Sequence, residues 1–424
     1  MTNKLYVFAP TPDSHVLAGT LSWNDKVGTF KYDDDYLAHP DRFSLDPRNL
    51  PLSKRNYTTT NNDGVFGVLA DVGPDSWGRS VIEKMHKQQP ANPLEYLISG
   101  NGDGVGAVRF SLSRSALGLL PNHLNFKNIN TVGQIEQELD DGQILEHDRL
   151  QQIWAAGSSI GGARPKLTVE EDGVEWLVKL AKNNDTVNMA MIECACLQIS
   201  KKAGIDVPNA RLINVTKRPA LMVERFDRNR GIRHHYLSAH ALLNMHRVGP
   251  KDVVSPGGIC TYGGLVSMAQ HGLNLQCGPQ IFARMIINVL LGNTDDHGRN
   301  FGFLKPMGQS WTLAPAFDIV VHGGNMHALG LGKGGRLSTL ENAVSDLSRF
   351  HLTPSQARPI IDLAINSVRT LPKLLIDLGA TSSDQEWVSK RLLPVGDEQA
   401  NIITQRLCPD VCKSLTKKVK RLSL

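Results

Sequence analysis

The chain has 424 residues, of which 41% are apolar and 21% charged, and its formal net charge is +5. That balance provides for a sizeable core and excludes a disordered or strongly polyionic protein; the mild positive charge permits an acidic or phosphorylated partner without requiring one. At roughly 100–200 residues per domain, the length implies two or three domains or one large two-lobed one.

Residues 4–32 read as short strands, "KLYVFA", "HVLAGTLSW" and "VGTFKY", with Gly and Asn-Asp turns between them. A polar, Pro-containing connection follows, then "GVFGVLADVGPDSWGRSVIEKMHKQ", which starts apolar and becomes helical, with Asp75 and Ser76 as N-caps. "GVGAVRFSL" is a further strand, and residues 1–115 make a small α+β unit. Residues 116–150 form a connection carrying one helix, "TVGQIEQELDDGQI". From 151 a glycine-rich turn, "LQQIWAAGSSIGGARPKLTVEE", leads into a strand, and "VEWLVKLAK" is the next strand. "DTVNMAMIECACLQISKKAGI" has helical spacing, with Asp185 or Thr186 as its cap and Gly204 as its stop. "RLINV" and "ALMVERFDR" are strands, closing a sheet-rich lobe over 151–230. Residues 231–424 read as helical, apart from a hairpin in "NFGFLKPMGQSWTLAPAFDIV". The six cysteines, Cys194, Cys196, Cys260, Cys277, Cys408 and Cys412, contain no CxxC pair and suit neither a disulfide framework nor a zinc site. They read as reduced thiols in a cytoplasmic protein. The N-terminus lacks an apolar signal core, and Arg284 interrupts the longest apolar run, so no membrane span is expected.

The chemistry-bearing residues follow the same chain order. In "GSSIGGARPKLTV" the glycines let backbone N–H groups approach phosphates, although neither a Walker A nor a GxGxxG spacing is present; a plain hairpin has the same appearance. Lys179 lies mid-strand in "WLVKL", either an edge lysine facing solvent or a phosphate ligand. Glu193 sits among apolar residues on the following helix, either solvated or paired with Lys179 as in a kinase strand-lysine to helix-glutamate ion pair. After the apolar "FARMIINVLL" comes "GNTDDHGRNFGFL", in which Asp295 and Asn300 are five apart, the offset of a kinase base and its metal-binding asparagine. Asp318, 18 residues on in "LAPAFDIVV", is a second oxygen ligand for Mg²⁺. Each acid has a plain alternative as a cap or salt-bridge partner. The ordered set is that of a protein-kinase-like ATP site. Two acids adjoin, but only Asp295 has the five-residue offset to Asn300. His297 either touches phosphate or makes a structural hydrogen bond. "RHH" at 233–235 and His322 read as surface or structural, and the basic tail "KSLTKKVKRLSL" as a solvated helix end.

With these motifs in place the sequence resembles the HipA family of serine/threonine kinases, toxins of type II HipA–HipB toxin–antitoxin systems. The likeness runs from about 5 to 390. "LAGTLSW", "GTFKYDDDYL" and "DVGPDSWGR" resemble the N-terminal domain, "SIGGARPK" the phosphate loop, "WLVKL" the ATP-lysine strand, "VERFDR" the hinge, "GNTDDHGRNF" the catalytic loop and "LAPAFDIV" the metal-Asp segment. The implied fold is α+β and two-lobed, similar to protein kinases and phosphatidylinositol kinases, with a small N-terminal α+β subdomain and an all-helical C-terminal lobe. By position, the resemblance makes Asp295 the catalytic Asp and Asn300 and Asp318 the metal ligands. It places Gly161, Gly162, Ala163, Arg164, Pro165, Lys166 and Lys179 on the ATP phosphates, the backbone of Glu224, Arg225 and Phe226 on adenine, and His297 and Phe317 at the nucleotide. Glu193 would be the structural ion-pair partner. Ser159, or its neighbour Ser158, matches the self-inactivating autophosphorylation site. The implied cofactors are ATP and Mg²⁺. The implied partners are a HipB-like helix-turn-helix antitoxin dimer, operator DNA through that antitoxin, and a translation protein such as an aminoacyl-tRNA synthetase, whose phosphorylation arrests growth. The alternatives are a small-molecule kinase of the aminoglycoside or choline type, and a non-catalytic antitoxin-binding corepressor.

Overall fold

The structure, a computed structural model, describes residues 2–12, 14–86, 89–100, 102–120, 123–157, 164–245, 251–252 and 257–393. Ser158, Ser159, Gly161, Gly162, Ala163 and the basic tail lie outside the described residues. The chain divides into two compact units. The first holds Met1–Met191, Pro208–Arg247 and Phe301–Ala314, and the second Ile192–Val207, Val248–Asn300 and Pro315–Leu424.

In the first unit, β1 (Lys4–Pro10), β2 (His15–Asn24), β3 (Val27–Tyr32), β4 (Tyr57–Thr59) and β5 (Arg109–Ser111) form an antiparallel sheet in the order β4-β3-β2-β1-β5. Asp25 and Lys26, at φ 44° and 64°, make the two-residue β2–β3 turn, whose twist matches that of the paired strands. The helix Ser76–His86 starts where the sequence indicates, with Asp75 accepting the Gly78 N–H. A second sheet has the order β6-β7-β8-β10-β9, from β6 (Leu124–Asn125), β7 (Lys166–Glu171), β8 (Val174–Lys179), β9 (Ala210–Val215) and β10 (Arg218–Glu224). Asp172 and Gly173 turn β7 into β8 with positive φ at both positions, as an Asp-Gly pair favours.

Helices Ile129–Asp140 and His147–Gly157 pack on this sheet. Ile129, Val132, Ile135, Leu150 and Ile153 meet Leu167, Val169, Val178, Ala220 and Met222 in one core. The second helix corrects the reading of 151–166 as a turn between strands. "LQQIWAAG" is helical, because Leu150, Ile153 and Ala156 share a buried stripe. The helix ends at Gly157, where a Cβ would meet the Lys166 carbonyl at 2.2 Å. Beyond two short strands, β11 (Arg228–Asn229) and β12 (Ile232–Arg233), come β13 (His235–Ser238), β14 (Gly302–Lys305) and β15 (Thr312–Leu313). The hairpin read in "NFGFL…" is therefore part of a three-stranded sheet, β13-β14-β15.

The second unit is mostly helical: Tyr262–Leu273, Gly278–Leu291, Pro354–Val368, Leu371–Asp377 and Ser382–Ser389, with most of Met189–Lys202. That last helix is capped by Asn188, which accepts the Met191 N–H at 3.0 Å, and not by Asp185 or Thr186. Asp185 is committed instead to Arg164. Gly204, at φ 78°, ends the helix as expected. The helix Gly278–Leu291 is buried almost throughout, Arg284 included. None of the helices among the described residues is long and apolar enough to cross a membrane.

Candidate active site

The buried helix Gly278–Leu291 closes on Gly292 in the left-handed region, φ 62°, and a Cβ there would meet the Arg391 carbonyl at 2.2 Å. Both facts require glycine. Gly292→Ala is expected to lower stability by about 1–3 kcal/mol, read as a fall in the urea midpoint with an unchanged slope. Unaltered unfolding would remove the assigned role of Gly292.

The next residues are anchored one after another. The Asn293 N–H donates to the Asn288 carbonyl at 2.8 Å, and the Thr294 hydroxyl to the Gly323 carbonyl at 2.7 Å. The two following acids then separate. The Asp295 side chain is 56% exposed, with the Nε2 atoms of His297 and His322 at 4.0 and 3.9 Å. The Asp296 side chain is 0% exposed. It accepts the Tyr262 hydroxyl, the Ala328 N–H at 2.7 Å and His327 Nδ1 at 2.8 Å. Asn288 in turn donates to the Tyr262 oxygen at 2.8 Å. One acid of the pair thus faces outward and the other ties the loop to the unit's interior. Nothing in the sequence signals Tyr262 or His327. His322, read from the sequence as surface or structural, is placed beside Asp295.

Asn300 closes a 3₁₀ turn, Gly298–Asn300, and its amide nitrogen donates to the Asp295 carbonyl at 2.9 Å. That bond turns Oδ1 the other way, as the acceptor end of the amide. Asp318 is half-buried and left-handed, with φ 57°. A non-glycine residue held there stores about 1–3 kcal/mol of strain, which persists where the surroundings demand it and gathers at functional sites. The Ala316 N–H, bonded to the Asp206 carbonyl at 2.7 Å, helps hold the segment. An amide oxygen and a carboxylate are hard donors, which suits Mg²⁺ and not a soft metal. Phe317 is half-buried beside Asp318.

In the first unit Lys179 ends β8, opposite Lys166 on β7 and Leu221 on β10. Lys166 is buried and Lys179 half-buried. Arg164 grips Asp185 with two bonds, 2.8 and 2.7 Å. Burial pushes the Asp185 carboxyl up, but Arg164 and the Lys182 N–H outweigh it and hold it below the usual range. The Pro165 carbonyl accepts the Leu180 N–H at 3.0 Å, keeping the start of β7 beside the end of β8. Glu193, in the second unit, is 7% exposed on its helix. Burial, and next the Glu193 charge, push the Cys196 thiol up to about 12. The N–H groups of Glu224 and Arg225 are already bonded, to the Asn209 carbonyl at 2.8 Å and the Glu175 carbonyl at 2.9 Å. The Phe226 ring lies 6.3 Å from that of Tyr236.

The side chains of "VERFDR" do something the sequence reading did not anticipate. Arg225 pairs with Asp103 at 2.8 Å and Asp227 at 3.0 Å, and Arg228 with Asp227 at 2.6 Å and Asp103 at 3.1 Å. Arg233, from "RHH", reaches Asp103 at 2.8 Å. Its neighbour His235 is buried against the Leu45 carbonyl at 2.8 Å, and burial pushes its imidazole down to about 4, in line with a structural role. Asp103, His123 and Glu175 lie close enough to hold a cation. The arginines already meet that negative charge, so a metal does not fit there.

Residues 158–371, half of the chain, match the HipA-like C-terminal domain. This chain belongs to the HipA family. Residues 14–111 match the HipA N-terminal domain. A relative from Shewanella oneidensis, the serine/threonine-protein kinase toxin HipA, is 26% identical over 336 residues, 72% of this chain and 73% of that protein. A putative kinase of Haemophilus influenzae is 30% identical over 182 residues, 39% of this chain, and the match spans 52% of that relative's length. Among solved structures, S. oneidensis HipA in a complex with HipB and operator DNA has a TM-score of 0.56 at 19% identity, covering 95% of each chain. That likeness carries the fold, the α+β kinase-like architecture expected from the sequence. The relatives of this HipA-family chain are kinases by name.

Proposed function

We propose that this chain is an ATP- and Mg²⁺-dependent serine/threonine protein kinase, the toxin of a type II toxin–antitoxin pair. The observation that carries the reading is the loop 292–300. It presents Asp295 to solvent, buries Asp296 and binds the Asn300 amide to the Asp295 carbonyl. In the second unit Asp295 orients and deprotonates the acceptor hydroxyl, while Asn300 and Asp318 hold Mg²⁺. When bound, Mg²⁺ supplies charge neutralisation on the ATP phosphates. From the first unit Lys179 meets the α- and β-phosphates, Arg164, Pro165 and Lys166 carry the described end of the phosphate segment, and Glu224–Phe226 form the adenine-binding strand end. His297 and Phe317 flank Asp295 and Asp318 in sequence and line the nucleotide side. Glu193 is the structural ion-pair residue that the resemblance implies. Autophosphorylation at Ser159 or Ser158 would limit the activity. The solved S. oneidensis complex supports a HipB-like antitoxin as partner, with operator DNA reached through it. A translation protein is the proposed target, and the cytoplasm the proposed compartment.

The test is incubation of the purified protein with Mg²⁺ and γ-labelled ATP, followed by autoradiography of its own band and of added cell extract. Label on protein is expected. Lys179→Met should cut the initial rate about 100-fold at low ATP, because a cation aimed at developing phosphate charge contributes a few kcal/mol. No protein-bound label from the unmodified chain would overturn the proposal.

A further inference from the structure

The buried acid beside Asp295 heads a chain of hydrogen bonds that ends on a groove. Asp296 Oδ2 lies 2.8 Å from His327 Nδ1, and His327 Nε2 lies 3.0 Å from Ser338 Oγ. The direction of these bonds follows from the partners. Asp296 already accepts the Tyr262 O–H and the Ala328 N–H, so it faces Nδ1 as an acceptor and Nδ1 carries the proton. Nε2 then offers a lone pair, and the Ser338 hydroxyl donates to it. The His327 side chain is 0% exposed, and in the resting protein both of its nitrogens are bonded to protein partners. Ser338 is only half-buried. It lines an open cavity of about 550 Å³ together with His322, Gly323, Gly324, Asn325 and Arg391.

Three roles of an acyl-transfer site are filled by this geometry: a hydroxyl nucleophile, an imidazole base bonded to it, and an acid that orients the base. The backbone supplies candidates for a fourth. The Ser338 N–H donates to the Asn325 carbonyl at 2.9 Å, which sets the Gly324–Asn325 stretch beside the serine. Among the described residues, no acceptor takes the Gly324 or Asn325 N–H. Gly324 and Asn325 line the same cavity, and backbone N–H donors are the type of group that stabilises a tetrahedral oxyanion.

We propose that Ser338 is a nucleophilic serine and that the groove admits esters with a short acyl group. Most of the lining is glycine or polar, with Val289, Leu392 and Leu393 as its apolar part, which suits a short acyl group better than a long alkyl chain. In the first half-reaction the Ser338 Oγ–C bond forms as its proton passes to His327 Nε2. The ester C–O bond then breaks and the departing alcohol takes that proton. In the second, water attacks the acyl-serine, gives its proton to Nε2, and the released carboxylic acid leaves Ser338 as it began. Neither Ser338 nor His327 has a part in the proposed kinase chemistry, so the two readings stand or fall separately.

The full-length protein, without nucleotide, is treated with a fluorophosphonate probe, which phosphonylates activated serines, and the labelled peptide is mapped by mass spectrometry. Label on Ser338 is expected. It should vanish in Ser338→Ala and form about 100-fold more slowly in His327→Gln, the usual loss of a general base. Hydrolysis of p-nitrophenyl acetate should fall in parallel. Because mapping is done on the unmodified chain, the outcome does not depend on a variant folding. An unlabelled protein, or label confined to another residue, overturns the proposal and leaves Asp296–His327–Ser338 as a structural tie.

Discussion

Asp295→Asn is expected to lower phosphoryl transfer from ATP to protein by about 10²–10⁴-fold while leaving the fold intact. The substitution keeps size and polarity but removes the basic oxygen. The 56% exposure of Asp295 means that little packing depends on it. The Asn300 bond runs to the backbone carbonyl of Asp295, so the loop geometry survives the change. The loss should appear in kcat, with KM for ATP nearly constant, because the role assigned to Asp295 concerns the acceptor hydroxyl. Asp296→Asn is the contrasting control. It disturbs the bonds to Tyr262, Ala328 and His327 and should shift the melting temperature as well as the rate. A fully active Asp295→Asn protein would sink the assignment of the base.

Asp227→Ala is expected to cost about 3–5 kcal/mol of stability at pH 7, the usual penalty for stranding a buried partner charge. Arg225, Arg228 and Arg233 are balanced by Asp103, Asp227 and Glu175. Asp227 also accepts the Gly106 N–H at 2.7 Å, and Arg228 donates to the Gly106 carbonyl at 2.8 Å, so the cluster joins the segment after Gly102 to β10 and β11. Burial pushes the Asp227 and Asp103 carboxyls up, but the guanidinium groups outweigh it and hold both below the usual range. A depressed carboxyl contributes stability that is complete above its unfolded value, about 3.9, and is lost as pH falls towards the folded value. The unmodified protein should therefore lose stability steeply below about pH 4, and Asp227→Asn should show a shallower acid limb. Urea unfolding at pH 7, 5 and 3 measures both effects. Equal midpoints for Asp227→Ala and the unmodified chain at pH 7 would refute the role of the cluster.

Much of the architecture was legible in the sequence. Alternation and turn residues mark β1–β3, and the strands β7 and β8 lie where "KLTVEE" and "VEWLVK" read as strands. The helix His147–Gly157 was not legible, because its glycine-rich C-terminal flank looks like the turn of a hairpin. The cap of the helix Met189–Lys202 was misplaced for a related reason. Asp185, Thr186 and Asn188 all have capping chemistry, and only folding shows that Arg164 claims Asp185.

For the candidate site, linear order determined the Asp295-to-Asn300 offset, the position of Asp318 and the kinase-like sequence of parts. Spacing along a chain encodes these because a short loop has few ways to place residues five apart. Tertiary structure decided what each side chain does. Asp295 and Asp296 are chemically identical neighbours. They differ because Tyr262 and His327, 34 and 31 residues from Asp296, donate to one of them. The same holds for "VERFDR", whose arginines find their counter-charges at Asp103, more than 120 residues earlier. A buried charge is settled by its partners, and distant partners are brought to it only when the chain folds.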